Sequence, residues 1–196
     1  IVESQPPYGY FLDEDNVQTI LIKPEAINEN ITVIFRNLPK PKLLITKIDA
    51  DTGEPLPGAV FRVSRRSTAE DVTTGPDGTY LLENMEEDWY EVYELRSPTG
   101  YVTDDTHYDI ELIAGETAEL VVKNRKKPTF TIEKIDSVTL QPLEGVVYEI
   151  SVKNGKSLGQ FTTDASGKIV LEDLEPGEIY LAEEVRALPG YLLDET

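Results

Sequence analysis

The sequence predicts an all-β fold arranged as a tandem array of small β-sandwiches. Three observations predict it. Strand-favouring Val, Ile, Thr and Tyr fill short runs, and 13 Gly and 13 Pro punctuate them. Strands and turn signals alternate every 8–12 residues or so, the spacing of a sandwich. Whole blocks of sequence then return after about 90 residues, too long a period for a solenoid turn and right for a small independent domain. Thus Lys47-Ile48-Asp49 returns as Lys134-Ile135-Asp136, and Pro55-Leu56-Pro57-Gly58-Ala59-Val60-Phe61 as Pro142-Leu143-Glu144-Gly145-Val146-Val147-Tyr148.

Taken in order, residues 1–39 belong to the same series. Glu3-Ser4-Gln5-Pro6-Pro7-Tyr8-Gly9-Tyr10 matches the segment from Glu94 to Tyr101, and Ile31-Thr32-Val33-Ile34-Phe35-Arg36-Asn37 matches the segment from Ala118 to Asn124. Residues 1–39 are therefore expected to be the closing strands of a preceding repeat. Residues 40–126 form one complete repeat. Residues 127–196 form a following repeat that stops after its Gly-Tyr turn and lacks its last strands. The chain opens at Ile1 without Met or a signal segment, and so reads as a processed or excised piece.

Within the complete repeat, residues 43–49 read as the opening strand, because Leu43, Ile45 and Lys47 share one face. Further strands are expected at 60–64, 80–83, 90–95, 108–113 and 118–123. Asp51-Thr52-Gly53 and Asp77-Gly78 are turns, since Gly and Asp tolerate positive φ. Residues 73–78 also read as a turn, and Ala114-Gly115-Glu116 as a hairpin loop between the last two strands. The segments Leu38-Pro39-Lys40-Pro41 and Arg125-Lys126-Lys127-Pro128 are short, proline-stiffened linkers that favour domains in line.

Charge and composition exclude several functions. With 18 Lys+Arg against 37 Asp+Glu the formal charge is -19, which would repel the phosphates of nucleic acid and anionic membrane surfaces. No apolar run approaches the roughly 18 residues needed to span a bilayer, so no membrane insertion is expected from this segment. The absence of cysteine excludes disulfides, thiolate metal sites and a cysteine nucleophile.

The apolar faces carry a recurrent anomaly. Lys47 ends the inward row Leu43-Ile45-Lys47, and Lys134 ends Phe130-Ile132-Lys134 in the same register. An unpaired buried ammonium costs several kcal/mol or more, so each asks for a partner. Tyr90, Val92 and Glu94 share a face, as do Tyr180, Ala182 and Glu184. Leu120, Val122 and Asn124 share another, as do Ile31, Val33, Phe35 and Asn37. Three readings fit these residues. The polar groups sit at strand ends and reach solvent; or Lys47 and Glu94 form a buried ion pair hydrogen-bonded to Asn124; or the set is reactive. In the third reading a desolvated lysine becomes a neutral amine nucleophile. A buried, protonated carboxyl at Glu94 then hydrogen-bonds the Asn124 carboxamide, polarises its carbonyl and shuttles a proton to departing ammonia. The product is a Lys–Asn isopeptide bond, made once and without a cofactor.

The strings ITKIDADTGEPLPGAVF, TGPDGTYLLENM, YEVYELRSPTGY and ELVVKN resemble the CnaB-type (SpaA-like, prealbumin-like) repeats of Gram-positive surface adhesins and pilins. The resemblance covers nearly the whole chain. It implies a Greek-key β-sandwich of immunoglobulin-like or prealbumin-like type, extracellular display on a bacterial cell surface and an intramolecular isopeptide bond. Carried over by motif, Lys47 is the first-strand lysine, Glu94 the catalytic acid and Asn124 the last-strand asparagine. Lys134 with Glu184, and Glu3 with Asn37, are the surviving members of the flanking sets.

The function expected is a structural stalk or shaft repeat, anchored to the cell wall through parts outside this segment, with neighbouring repeats of the same chain as its partners. A head-to-tail meeting of partial repeats from two molecules is an alternative fate for Lys134 and Asn37. The alternative function is an adhesive module for a host protein or glycan, which an exposed aromatic patch around Trp89 or Tyr8 to Tyr10 would favour. Metal sites are not expected: Asp49, Asp51 and Glu54, and the run Asp13-Glu14-Asp15-Asn16, do not match an EF-hand loop. His107 is the only histidine, so no histidine cluster or triad can be assembled.

Overall fold

The computed structural model describes residues 1–24 and 30–193, so the last three residues of the following repeat lie outside it. Twelve strands are numbered here in chain order. In the first unit, residues 1–98 and 103–124, β1 (Lys42–Asp49), β4 (Thr79–Leu82) and β7 (Thr117–Asn124) form one sheet in the order β4-β1-β7. The second sheet runs β3-β2-β5-β6, from β3 (Thr68–Thr73), β2 (Val60–Arg65), β5 (Asp88–Arg96) and β6 (His107–Leu112).

β1 alternates strictly, and Leu43, Ile45, Lys47 and Asp49 are all buried. Its apolar row meets Phe61, Val63 and Val92 of the other sheet and Leu120 and Val122 of β7 in one core. This is an all-β sandwich, with residues from the inner faces of both sheets filling the space between. β1 pairs antiparallel with β4 but parallel with β7, from Lys42↔Thr117 to Asp49↔Asn124. The strand by which the chain enters the sandwich therefore lies along the strand by which it leaves.

Two expectations need correction, and one strand is found where none was expected. The turn at 114–116 is not a hairpin loop: β6 and β7 belong to different sheets, and Gly115, at φ +81°, carries the chain across between them. The physical reason is that β7 is paired along its whole length with β1, while β6 is hydrogen-bonded to β5. The strand at 68–73 escapes a sequence reading because Thr-Ala-Glu-Asp-Val-Thr buries only Val72 at a sheet edge. In residues 1–39, the described residues form no strands, only the isolated bridges Val2↔Val17 and Tyr10↔Pro39. Val33, Phe35 and Asn37 still alternate towards the interior, but no strand equivalent to β1 stands beside them to complete a ladder.

The second unit, residues 99–102 and 125–196, repeats the first five strands. β8 (Phe130–Glu133) pairs with β11 (Lys168–Leu171), while β10 (Ser157–Thr162), β9 (Val147–Val152) and β12 (Tyr180–Arg186) form the other sheet, around Ile150, Ile169, Leu171 and Leu174. Here the opening strand is short. It ends at Glu133, one residue before Lys134, and Phe130 is 39% exposed instead of core-facing. Among the described residues nothing equivalent to β7 flanks it. Among the described residues no helix is long and apolar enough to cross a membrane.

One glycine locks the backbone under Lys47. Gly78 sits at φ +72°, and a Cβ there would lie 2.6 Å from the Lys47 carbonyl oxygen. The Lys47 N–H donates to the Gly78 carbonyl at 2.7 Å, and Leu56 N–H donates to the Lys47 carbonyl at 2.9 Å. Gly167 stands in the same relation to Lys134. Gly53 shares the backbone conformation, at φ +75°, but has open space around it. Gly53→Ala should therefore cost about 1 kcal/mol for its positive φ alone. Gly78→Ala should cost a further 1–3 kcal/mol or so, because backbone must move. Equilibrium denaturation of the two variants beside the parent checks this; equal losses would show that the contact with Lys47 is irrelevant.

Candidate functional site

Lys47, Glu94 and Asn124 converge inside the first sandwich. Lys47 and Asn124 come from the parallel pair β1 and β7, where Lys47 is level with Val122 and Asp49 with Asn124. Alternation puts all four side chains on the inward face, with Asn124 two residues further along that face than Val122, the residue level with Lys47. Glu94 comes from the opposite sheet, on β5, where it pairs with Phe61 of β2. Its side chain crosses the core to meet the other two. The side chains of Lys47 and Glu94 are fully inaccessible to solvent, and Asn124 is 2% exposed.

The distances are specific. Lys47 Nζ lies 3.6 Å from Glu94 Oε1. Asn124 Nδ2 donates to Glu94 Oε1 at 2.9 Å and Oε2 at 3.0 Å, and the peptide N–H of Asp104 donates to Oε2 at 2.8 Å. Lys47 Nζ and Asn124 Oδ1 are buried and have no hydrogen-bond partner. Leaving such groups unsatisfied is expensive, roughly 1–3 kcal/mol each and more for a charge. Burial pushes the Lys47 amine below its ordinary value; the nearby Glu94 and then Asp104 carboxylates oppose that shift.

Chemically, the arrangement brings a desolvated amine and a carboxamide to one carboxyl group. The carboxamide turns its nitrogen, not its oxygen, towards Glu94. The carboxyl thus addresses the nitrogen that would depart in an acyl transfer, to which sequence reasoning had it shuttle a proton, and not the carbonyl oxygen that it was also expected to polarise.

The flanking sets are brought together as far as their members exist. Asn37 Nδ2 donates to Glu3 Oε1 at 2.9 Å, copying the Asn124–Glu94 contact, and Glu3 Oε2 and Asn37 Oδ1 are buried without hydrogen-bond partners. Lys134 Nζ donates to Glu184 Oε2 at 2.7 Å. Glu184 is buried, while the Lys134 side chain is 19% exposed.

The remaining candidates have ordinary roles. Asp49 is buried and caps its own turn, Oδ1 accepting the N–H groups of Asp51 and Thr52. Asp13 does the same for Asp15 and also accepts the N–H of Arg36. Among the described residues no group of three or more His, Asp or Glu could hold a metal ion. His107 stacks on Tyr93, ring centroids 4.3 Å apart, with Nδ1 2.9 Å from Glu91 Oε1. Trp89 is 58% exposed and Tyr8 90% exposed. Sequence reasoning missed Asp104, whose peptide group reaches Glu94. The available signal was its recurrence ten residues after the glutamate of each repeat, as Asp13, Asp104 and Asp194.

The model of the SpaA prealbumin-like fold domain matches residues 41–126 and again 128–196. A search of curated protein sequences gave no match. Among solved structures, the shaft pilin SpaA from Lactobacillus rhamnosus GG is similar over 79% of this chain and 90% of its own, at 20% identity and a TM-score of 0.50. The Bacillus anthracis TIE protein is 30% identical over 82% of this chain, at a TM-score of 0.47; the chain spans only 31% of it. A Streptococcal ancillary pilin is 19% identical, at a TM-score of 0.46, over 95% of this chain and 68% of its own.

The buried amine makes stability depend on pH in a defined direction. In the chain before any reaction, with Asn124 occupying Glu94, the folded-state value of Lys47 lies below the ordinary value of about 10.4. Across that window the unfolded chain holds a proton that the folded chain does not, so stability rises with pH and is lost as pH falls. Urea melts of the unreacted chain at successive pH values up to about 10 should show this slope. Lys47→Met should flatten it, and a slope that survives that substitution belongs to other groups.

Proposed function

The chain belongs to the SpaA family of prealbumin-like fold domains, and from that premise we propose that it is a shaft or stalk segment of a bacterial surface or pilus-like protein, cross-linked by a Lys47–Asn124 isopeptide bond. The observation that carries the cross-link is the pair of buried, unpartnered atoms, Lys47 Nζ and Asn124 Oδ1, on two side chains that meet the same Glu94 carboxyl. In the reaction Nζ, as the free amine, attacks Cγ of Asn124. Glu94 takes a proton from the attacking nitrogen and delivers it to Nδ2. The Cγ–Nδ2 bond breaks, ammonia leaves, and an Nζ–Cγ amide remains. No cofactor takes part, and each chain reacts once.

The role follows from where the bond lies. It ties β1 to β7, the strands through which the chain enters and leaves the sandwich, so tension applied at the two ends passes through a covalent link. By the loop-entropy model used for disulfides, closing a loop of this size also destabilises the unfolded chain by roughly 4–5 kcal/mol. It does the work of a disulfide in a chain without cysteine. A shaft pilin shares the fold, which supports the reading; display outside the cell, with wall anchoring through parts beyond this segment, belongs to the same proposal. The flanking half-sets would be completed by the missing strands of their own repeats, or by a second molecule joining head to tail. The second reading, an adhesive module for a host protein or glycan, is favoured by the exposure of Trp89 and Tyr8. Matrix-protein or glycan-array binding lost in Trp89→Ala would support it.

Intact mass under denaturing conditions tests the cross-link. The chain should be lighter than its sequence by one ammonia, about 17 Da, and Lys47→Ala, Glu94→Ala and Asn124→Ala should each restore the full mass. An unshifted parent mass leaves a buried ion pair and ends the covalent reading. Where the shift is present, the three variants should also unfold at markedly lower denaturant concentration, by the several kcal/mol given above.

A further inference from the structure

Glu94 is held by more than its two reaction partners. The loop between β5 and β6 returns over the site, and at its turn the Asp104 N–H donates to Glu94 Oε2. That peptide group is fixed by its own side chain. Asp104 Oδ1 accepts the N–H of Thr106 at 3.0 Å and its hydroxyl at 2.6 Å, and Oδ2 accepts the hydroxyl of Tyr108 at 2.7 Å. Tyr108 in turn packs against the core, and Thr103 Oγ1 donates to Ser97 Oγ across the base of the loop at 3.1 Å. From these contacts, and resting on the cross-linking reading above, we infer that Asp104 is a positioning residue for the Lys47–Asn124 reaction, aiming Glu94 through its peptide N–H and setting the charge beside the lysine through its carboxylate.

The internal repeats give an independent argument. Asp follows the site glutamate by ten residues in all three copies, within Gly9-Tyr10-Phe11-Leu12-Asp13, Gly100-Tyr101-Val102-Thr103-Asp104 and Gly190-Tyr191-Leu192-Leu193-Asp194. Asp13 keeps the local turn, accepting the N–H of Asp15 as Asp104 accepts that of Thr106, and a further N–H from Arg36 in place of the tyrosine hydroxyl. Yet the equivalent glutamate oxygen, Glu3 Oε2, has no partner there. The N–H to carboxyl contact is present in the complete set and absent at Glu3, while Asp194 of the third copy lies outside the described residues.

The carboxylate has a second effect. The charged groups that act on the Lys47 amine are Glu94 from β5 and Asp104 from the returning loop; Tyr108 of β6 is bonded to Asp104, and Asp49, two residues further along β1, accepts the N–H groups of its own turn. Asp104 acts on Lys47 in the direction that keeps it protonated, and its own value is held low by Thr106 and Tyr108 against the opposing effect of burial. Removing that charge should free the amine at lower pH.

A time course of ammonia loss tests the assignment. Chains from a short cell-free synthesis pulse are diluted into buffers between about pH 6 and 9, quenched in acid and weighed. The parent's rate should rise with pH. Asp104→Asn should move that rise downward by about half a pH unit or more, while Asp105→Asn, an exposed neighbour, should leave rate and profile unchanged. Asp104→Ala, which cuts the loop from Thr106 and Tyr108, should react at least about tenfold more slowly at every pH yet reach the same final mass. A profile for Asp104→Asn that superimposes on the parent's overturns the inference, and this arm decides should the alanine variant not fold. A parent chain that never loses ammonia overturns the cross-linking reading itself, and is distinct from either result.

Discussion

Everything in the first sandwich is arranged around a lysine that has no business in a core. Lys47 is among the largest side chains fully withdrawn from water in this chain, and the desolvation of an ammonium is too costly to leave unanswered. The answer comes from both sheets. β7 lies parallel against β1 and supplies Asn124; β5 reaches over from the other sheet with Glu94. Take away any of the three strands and the remaining polar groups lose their partners while still facing an apolar interior. The parallel β1–β7 pairing, unusual among otherwise antiparallel neighbours, thus has a chemical as well as a topological consequence. It sets a lysine and an asparagine side by side on the strands that join this domain to the rest of the chain.

Much of this was legible in the sequence because a misplaced charge stands out against alternation. In β1 the period-two pattern fixes which face is buried, so Lys47 is read as inward from three letters of context; the same logic finds Glu94 and Asn124 at the ends of apolar rows. Pairing is harder. That β7 joins β1 and not β6 depends on contacts distant in sequence, and a short Gly-containing turn such as 114–116 suits a hairpin and a crossover equally well. β3 was invisible because an edge strand with one buried residue carries almost no alternation. The flanking segments departed for a different reason. Residues 31–37 keep the strand pattern but not the strand, and β8 ends before Lys134, since a ladder needs a neighbour as much as a suitable sequence. Asp104 was overlooked because its contribution is made through a peptide N–H, which any residue possesses. Only the recurrence of the side chain that anchors it could have given it away.

The three copies of the site, complete and partial, separate what each member does. Asn37 and Asn124 each donate from Nδ2 to Oε1 of their glutamate at 2.9 Å, so the Glu–Asn contact forms without a lysine. Lys134 and Glu184 meet at 2.7 Å, a full charge-assisted hydrogen bond formed without an asparagine. Only where all three are present does the lysine stand back, at 3.6 Å.

The cause of that retreat is competition for two oxygen atoms. Asn124 Nδ2 bonds both carboxyl oxygens of Glu94, and the Asp104 N–H occupies Oε2 as well, so Lys47 Nζ ends without a hydrogen bond of its own. As an ion pair the complete set is therefore worse than the incomplete one at Lys134, since a buried charge is tolerable only when fully hydrogen-bonded. As the reactive assembly proposed above it is better. An amine denied a strong partner gives up its proton more readily, and it does so beside a carboxyl already bonded to the nitrogen that must leave. On the proposed reading, the asparagine is then more than the target of the lysine: by occupying Glu94 it creates the poorly paired amine that attacks it, and the amide bond that results removes the unsatisfied groups that the folded core would otherwise have to carry.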